Sequence, residues 1–345
     1  MSECNWPTDE WRSADPDSVG LRAEYLSKLD QEIKARYRGI NAFLVVRAGH
    51  LVYERYFNGT GQGDKHIVAS VTKSFISALI GIAIEQGYIE GVDQNVLEFF
   101  SEYVPGPDDY LKRQVTIKHL LTMTAGFQWR SGPRANELMI DRLRRNKDWV
   151  GFILSLPVRE RSFGKFQYSS AVSHLLSAII TRSTGSCAEN FAAEHLFGPI
   201  GIDPPAAHLQ HSFSQSDVFR NTTGGWPRDP QGNSIGGWGL VLRPRDMARF
   251  GYRYLSGGRW GGEQIIPAGW IRDSIFPHTP GYGYQWWLRD LKGVFTFAAV
   301  GQGGNHIFCM PEADLVVVIA SKAAARWRDR WLLVEEFVIP TLDLE

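Results

Sequence analysis

Three cysteines in 345 residues are too few and too scattered to organise a fold. Cys4, Cys187 and Cys309 show no C-x-x-C spacing, which argues against a disulfide framework or a structural zinc site, and free thiols are expected. Charge of one sign is also missing. Lys plus Arg (37) balances Asp plus Glu (37), so the chain lacks the electrostatic footprint of a nucleic-acid or anionic-lipid binder. No apolar run is long enough to span a bilayer, and the Met1-Ser2-Glu3-Cys4-Asn5-Trp6-Pro7 start has neither the basic nor the apolar segment of a secretory leader. The expectation is a cytoplasmic protein whose partner is a small molecule, with no membrane and no nucleic acid involved.

Metal and nucleotide motifs are absent as well. The nine histidines contain no H-E-x-x-H, and the close pair His208 and His211 falls in a polar stretch, so no metal is expected. Gly59-Thr60-Gly61-Gln62-Gly63 matches neither G-x-G-x-x-G nor a P-loop, and no cofactor is expected.

What is present is a hydrophobic content of 43%, enough for one large core or two modest ones. Leu26, Leu29, Ile33 and Tyr37 recur at helical spacing, and Ala42–Val46 and Leu51–Tyr56 read as a hairpin around Ala48-Gly49-His50. The middle is helical by pattern over Val71–Gln86, Ile117–Met123, Asp148–Leu156, Ala171–Arg182 and Ala188–Phe197. After a Gly/Trp/Pro stretch from Thr222 to Gly239, a helix is expected over Pro244–Leu255. Strands follow at Tyr284–Leu288, Val294–Val300, Asn305–Met310 and Leu315–Ala320, and a closing helix over Ala324–Val338 carries Trp327, Trp331, Leu332 and Phe337 on one side. Strands at both ends around a helical middle imply an α+β sandwich, its antiparallel sheet built by both termini. The expected division is 1–66 plus 225–345 as the sheet domain and 67–224 as an inserted all-helical subdomain, with the active site in the cleft between them.

The sharpest local signal is Ser70-Val71-Thr72-Lys73, which opens an apolar helix running through Phe75, Ile76, Leu79, Ile80 and Ile82 to Gly87. Three residues are nearly one turn, so the Ser70 hydroxyl and the Lys73 amine share a face. Serine is a poor nucleophile until a neighbouring base takes its proton, and a desolvated lysine can serve. Two other serines compete for the role. Ser162-Phe163-Gly164-Lys165 repeats the spacing, but Gly164 breaks a helix. Gly232-Asn233-Ser234-Ile235-Gly236 matches the nucleophile elbow of α/β-hydrolases without the strand before it and helix after it that an elbow needs.

Ser70-Val71-Thr72-Lys73-Ser74-Phe75, Tyr168-Ser169-Ser170 and Gly301-Gln302-Gly303-Gly304 resemble, in order and spacing, the three active-site elements of the serine β-lactamase and penicillin-binding-protein superfamily. His119–Gly126, Gly236–Leu240 and Pro244-Arg245-Asp246 support the likeness, which is nearest to the class C branch with its β-lactamase-like esterases and 6-aminohexanoate-dimer hydrolases. The resemblance implies a β-lactamase/transpeptidase-like fold, Ser70 as nucleophile, and Lys73 and Tyr168 as acid/base partners. Either could be the acylation base: a phenol of ordinary pKa about 10 beside a cationic lysine is biased toward phenolate. It also implies oxyanion donors in the N–H groups of Ser70 and Gly304, with Gly303, Gln302, Ser170 and His306 near the substrate.

The third element departs from the family pattern. Where Lys or His usually stands, this chain has Gly301-Gln302-Gly303, and without that cation a β-lactam or D-Ala-D-Ala carboxylate loses its partner. Short esters therefore rank first as substrates, small amides second, and β-lactams or cell-wall peptides third. The rival from another class is a non-catalytic binding or self-assembling protein with this fold. Trp226, Trp238, Trp286 and Trp287 are candidates either for an acyl pocket or for plain packing.

Overall fold

The computed structural model describes residue 7 and residues 10–106, 109–129, 139–208, 225–322, 324 and 326–342. Cys4 and His211, on which expectations were placed, lie outside the described residues; Cys187 and Cys309 are free and buried. Helix α1 (Ala23–Arg36) buries Leu26, Leu29 and Ile33, the stripe read from its spacing. Strands β1 (Ile40–Arg47) and β2 (His50–Tyr56) follow, joined at Ala48 and Gly49, both with positive φ as a tight two-residue hairpin turn requires.

The chain then passes through α2 (Thr72–Glu85), α3 (Ile117–Leu121), α4 (Trp149–Ser155), α5 (Ser170–Thr184), α6 (Ala188–Ala192) and α7 (Pro244–Leu255). It returns as β3 (Trp287–Leu291), β4 (Val294–Gly301), β5 (Asn305–Met310) and β6 (Leu315–Ser321) and closes with α8 (Arg330–Phe337). The six strands form one sheet in the order β2-β1-β6-β5-β4-β3, every neighbour antiparallel. The N-terminal hairpin is thus stitched to the C-terminal meander through β1 and β6.

Strand periodicity divides the side chains between two cores. Leu44, Val46, Ile307, Cys309, Val316 and Val318 lie on the α7 side, in a core that continues unbroken into α2, α5 and the helical middle. Phe43, Val45, Phe308, Met310, Val317 and Ile319 point the other way, against Leu29, Ile33, Leu333 and Val334 of α1 and α8. The protein is therefore α+β, with helices on both faces of an antiparallel sheet. Helix α2 is apolar all round because it is central: Phe75, Ile76, Leu79 and Ile80 are fully buried. A Cβ at Gly81 would come within 2.3 Å of the Trp270 ring.

Three boundaries differ most from the sequence reading. The helix expected over 188–197 changes after Ala192 into a π turn, Ala193–Phe197. The strand expected from Tyr284 begins at Trp287, because Gln285 has φ +63° and its N–H bonds Leu121 O instead of a ladder partner. Helix α8 starts at Arg330 rather than Ala324, since the Asp329 side chain caps it by accepting from the Trp331 N–H. Within α8, Trp331, Leu333 and Val334 face inward, while Leu332 is 50% exposed.

Candidate active site

Ser70 occupies a 3-10 turn, Ala69–Val71, that leads directly into α2, and its side chain is only half-buried. The residue before it, Ala69, has φ +49°, a left-handed conformation that an L side chain adopts only when its surroundings impose it. Those surroundings are explicit. The Val68 N–H donates to Leu240 O at 2.9 Å, Thr72 Oγ1 donates to Ala69 O at 2.6 Å, and the Leu240 N–H donates to Thr72 Oγ1 at 3.2 Å. The Val68 backbone before Ser70 and the Thr72 side chain after it are thus both held by Leu240.

Lys73 is 2% exposed, and its Nζ donates to Ser70 Oγ at 3.1 Å, to Ser170 Oγ at 2.8 Å and to Gly237 O at 2.6 Å. Three acceptors match the three N–H groups of an ammonium. The same nitrogen lies 5.0 Å from the centroid of the Tyr168 ring, a cation–π contact. Tyr168 is set there by the segment leading into α5: the Gln167 N–H bonds Met123 O at 2.7 Å and the Ser169 N–H reaches Met123 Sδ at 3.4 Å. Ser70, Lys73, Tyr168 and Ser170 are therefore brought together, from two helices far apart in the chain.

Three positioning features were not read from the sequence as such. Gly236 and Gly237 lie flat on α5: a Cβ at Gly237 would stand 2.7 Å from Ser170 Cβ, and one at Gly236 would stand 2.1 Å from Ser173 O. This close approach aims the Gly237 carbonyl at Lys73. Behind it, His174 and Asp229 form a fully buried pair with Nε2 to Oδ2 at 3.0 Å, and the Gly236 N–H donates to His174 Nδ1 at 3.4 Å. Burial by itself would raise the Asp229 carboxyl; hydrogen bonds from His174 and Asn233 outweigh it and hold the group below its ordinary range.

The third feature is Gln285, 2% exposed. Its Nε2 donates to Leu120 O (3.0 Å) and Leu121 O (2.9 Å), its Oε1 accepts from Ser173 Oγ (2.8 Å), and its backbone O accepts from Ser74 Oγ (2.8 Å). One side chain and its peptide thus tie together α2, α3 and α5. Its signal in the sequence was at most a polar residue among Gly281–Trp287, an otherwise apolar and glycine-rich run.

The glycine-rich third element sits as a tight turn between β4 and β5. Gly301 abuts the segment before Ser70, where a Cβ would meet Val68 O at 2.2 Å, and Asn305 Nδ2 donates to Gln302 O at 2.9 Å. Gln302 is at the tip and half-buried; Gly303 is buried with φ +84°. Two expectations are corrected here. The Gly304 N–H donates to Gly301 O at 3.2 Å within the turn, so it is engaged and not offered to an oxyanion. His306 points to the opposite face of the sheet, stacked on Phe308 at 4.9 Å and edge-on to Trp331, because alternation along β5 places it with the α8 core. Burial depresses its proton affinity to about 3.

The strand edge left without a ladder beside the Ser70 turn belongs to β4 itself. Its ladder with β3 ends at the Ala298 and Trp287 pair, while its ladder with β5 continues to Gly301 and Asn305. The last residues of β4 accordingly have no strand partner on the β3 side. The competing serines are structural: Ser234 is fully buried and its Oγ accepts from the Glu189 N–H at 3.0 Å, and Ser162 lies in a turn that opens no helix, the next one starting only at Ser170. Of the four tryptophans, Trp226, Trp238 and Trp286 are core residues, whereas Trp287 is half-buried and stacks on Tyr168 at 5.9 Å.

A sheet carrying helices on both faces, with a Ser-x-x-Lys turn entering its central helix, is the architecture of serine hydrolases that work through an acyl-enzyme. A family model described as Beta-lactamase matches residues 27–335, and the chain belongs to that family. The 6-aminohexanoate-dimer hydrolase of Paenarthrobacter ureafaciens is 24% identical over 305 residues, covering 81% of this chain and 71% of the relative. Among solved structures, a family VIII carboxylesterase superposes with a TM-score of 0.69 at 19% identity, covering 91% of this chain and 96% of that one. The octameric penicillin-binding protein homologue from Pyrococcus abyssi superposes with a TM-score of 0.68 at 18% identity, covering 93% and 77%. Among the described residues no helix is long and apolar enough to cross a membrane, and no three His, Cys, Asp or Glu side chains are grouped to hold a metal ion.

Proposed function

We propose that this chain hydrolyses small esters, and more slowly small amides, through an acyl-enzyme formed on Ser70. The observation that carries the reading is the Lys73 amine 3.1 Å from the Ser70 hydroxyl, buried against Ser170, Gly237 O and the Tyr168 ring. In this reading Lys73, hydrogen-bonded to Ser70, Ser170 and Gly237 O, holds the Ser70 hydroxyl in place beside the Tyr168 ring, and Tyr168 is the proton carrier. Tyr168 then takes the Ser70 proton as the hydroxyl attacks the carbonyl carbon, and returns a proton to the departing oxygen or nitrogen. Water repeats the exchange to release the acid. The oxyanion is held by the Ser70 N–H and by an N–H from the unladdered end of β4, which takes the place first assigned to Gly304.

The substrate ranking follows from what faces the site. Gln302 and its neighbouring glycines supply no cation for a carboxylate, which favours neutral substrates over β-lactams and cell-wall peptides. The amidase arm is supported by the relationship to the 6-aminohexanoate-dimer hydrolase and the esterase arm by the carboxylesterase likeness. The division into a sheet domain (1–66 plus 225–345) and a helical insertion (67–224) is supported by the shared sheet and by the placing of Ser70 and Tyr168 on the insertion side of it. The deciding experiment compares short esters, 6-aminohexanoate oligomers and nitrocefin on one preparation. The expected order of kcat/KM is ester, then amide, then β-lactam; nitrocefin turnover above ester turnover would overturn the ranking, and no turnover of any class would favour the binding-protein alternative.

A further inference from the structure

Four aromatic rings form a continuous wall that starts at the reacting phenol. Tyr168 stacks on Trp287 (5.9 Å, 27°), Trp287 meets Phe166 (5.9 Å, 70°), and both rest on Tyr282, at 5.0 Å each. Tyr282 is 1% exposed and anchors the group, but Phe166 is 37% exposed and Trp287 half-buried. Tyr282 belongs to the core and Trp287 packs against both cores, but the accessible faces of Phe166 and Trp287 beside the reactive centre are apolar surface available to a ligand. Its position along the reaction coordinate decides which end of the substrate it meets. A group that protonates the leaving atom must stand within hydrogen-bond reach of that atom, so whatever the leaving atom carries extends past Tyr168 onto Trp287 and Phe166.

We infer that Trp287 and Phe166 are the specificity-determining platform for an apolar leaving group: an aryl, benzyl or medium-length alkyl chain on the alcohol of an ester or the amine of an amide. The inference rests on Tyr168 serving as proton donor in the acyl transfer proposed above. It assigns the preference to the leaving group and not to the acyl chain, because the acyl carbon is bonded to Ser70 after departure while the platform adjoins the phenol. Contacts with the two rings are made in both the bound substrate and the transition state, so their loss is read mainly in KM.

The test uses two ester series on the full chain. In the first, the acyl group is acetyl and the alcohol is ethanol, n-hexanol or benzyl alcohol; in the second, the alcohol is ethanol and the acyl group is acetyl, butyryl or hexanoyl. For Phe166→Ala, a surface change that leaves the core intact, and for Trp287→Leu, the kcat/KM ratio of benzyl to ethyl acetate falls about tenfold relative to the unmodified protein, through KM. The ratio of ethyl hexanoate to ethyl acetate stays where it was. A selectivity loss graded by the acyl chain, or an equal loss on every ester in both variants, overturns the platform assignment while leaving Ser70-dependent hydrolysis standing. Absence of Ser70-dependent turnover in the unmodified protein overturns the acyl-transfer reading and this inference with it.

Discussion

Lys73 Nζ donates to the carbonyl oxygen of Gly237 at 2.6 Å, joining two residues 164 positions apart in the chain. That carbonyl is available because neither Gly236 nor Gly237 carries a Cβ. Gly237→Ala would place a methyl 2.7 Å from Ser170 Cβ and force the loop away from α5. The expected outcome is a stability loss of about 1–3 kcal/mol from overpacking and a fall in kcat of about tenfold or more. Denaturant unfolding and steady-state kinetics on one ester measure both.

Ser170 accepts the second hydrogen bond of Lys73 at 2.8 Å and is itself buried. Ser170→Ala removes an acceptor from a charged donor without leaving a clash, a change of about 1.5–3 kcal/mol for that interaction. The loss is expected in kcat, about tenfold or more, with KM little altered. An unchanged kcat shows that the bond has no part in holding the amine.

Gln285 binds three helices through two carbonyls and two serine hydroxyls. Gln285→Leu, close in size, leaves the carbonyls of Leu120 and Leu121 and the hydroxyl of Ser173 without that partner in a dry interior. A destabilisation of about 2–4 kcal/mol is expected, read as a lower denaturant midpoint. Ester turnover falls with it even where the variant is fully folded, because the Ser173 hydroxyl that loses its partner lies one helical turn from Ser170, which bonds Lys73.

His306 makes stability depend on pH. Burial depresses its folded pKa from the ordinary 6.5 to about 3, so between those values the unfolded chain binds a proton that the folded chain refuses. Its contribution is complete above pH 6.5 and is lost progressively as pH falls toward 3. His306→Phe keeps the stacking on Phe308 and removes the titrating group. The variant should show a flatter stability profile between pH 6.5 and 3, with ester hydrolysis retained at neutral pH. A variant whose acid sensitivity equals that of the parent would assign the effect to other groups, such as the buried His66.

How much of this was legible in the sequence depended on range. Ser70 and Lys73 are three residues apart on one apolar helix, so their meeting is local geometry, and α7 was legible from its Pro244 start. Tyr168 entered only through resemblance, because nothing local distinguishes it from a packing aromatic. Gly237, His174, Asp229 and Gln285 act across 55 to 211 positions, and no periodicity carries that information. His306 was misplaced for a different reason. Both faces of β5 are buried, Ile307 and Cys309 on one side and Phe308 and Met310 on the other, so alternation gave two faces without saying which met the cleft. The assignment to Gly304 failed because a tight turn spends its own N–H groups on closing itself.

The central claim is that Ser70 is the nucleophile made reactive by Lys73 and Tyr168. It is tested most directly by treating the protein with a fluorophosphonate probe and locating the adduct by peptide mass spectrometry. A single stoichiometric adduct on Ser70 is predicted, undiminished in Ser234→Ala and absent or at least hundredfold slower in Lys73→Met and Tyr168→Phe, about what general-base activation contributes. An adduct on Ser234 or Ser162, or labelling of Ser70 that proceeds at the same rate in all four proteins, would contradict it.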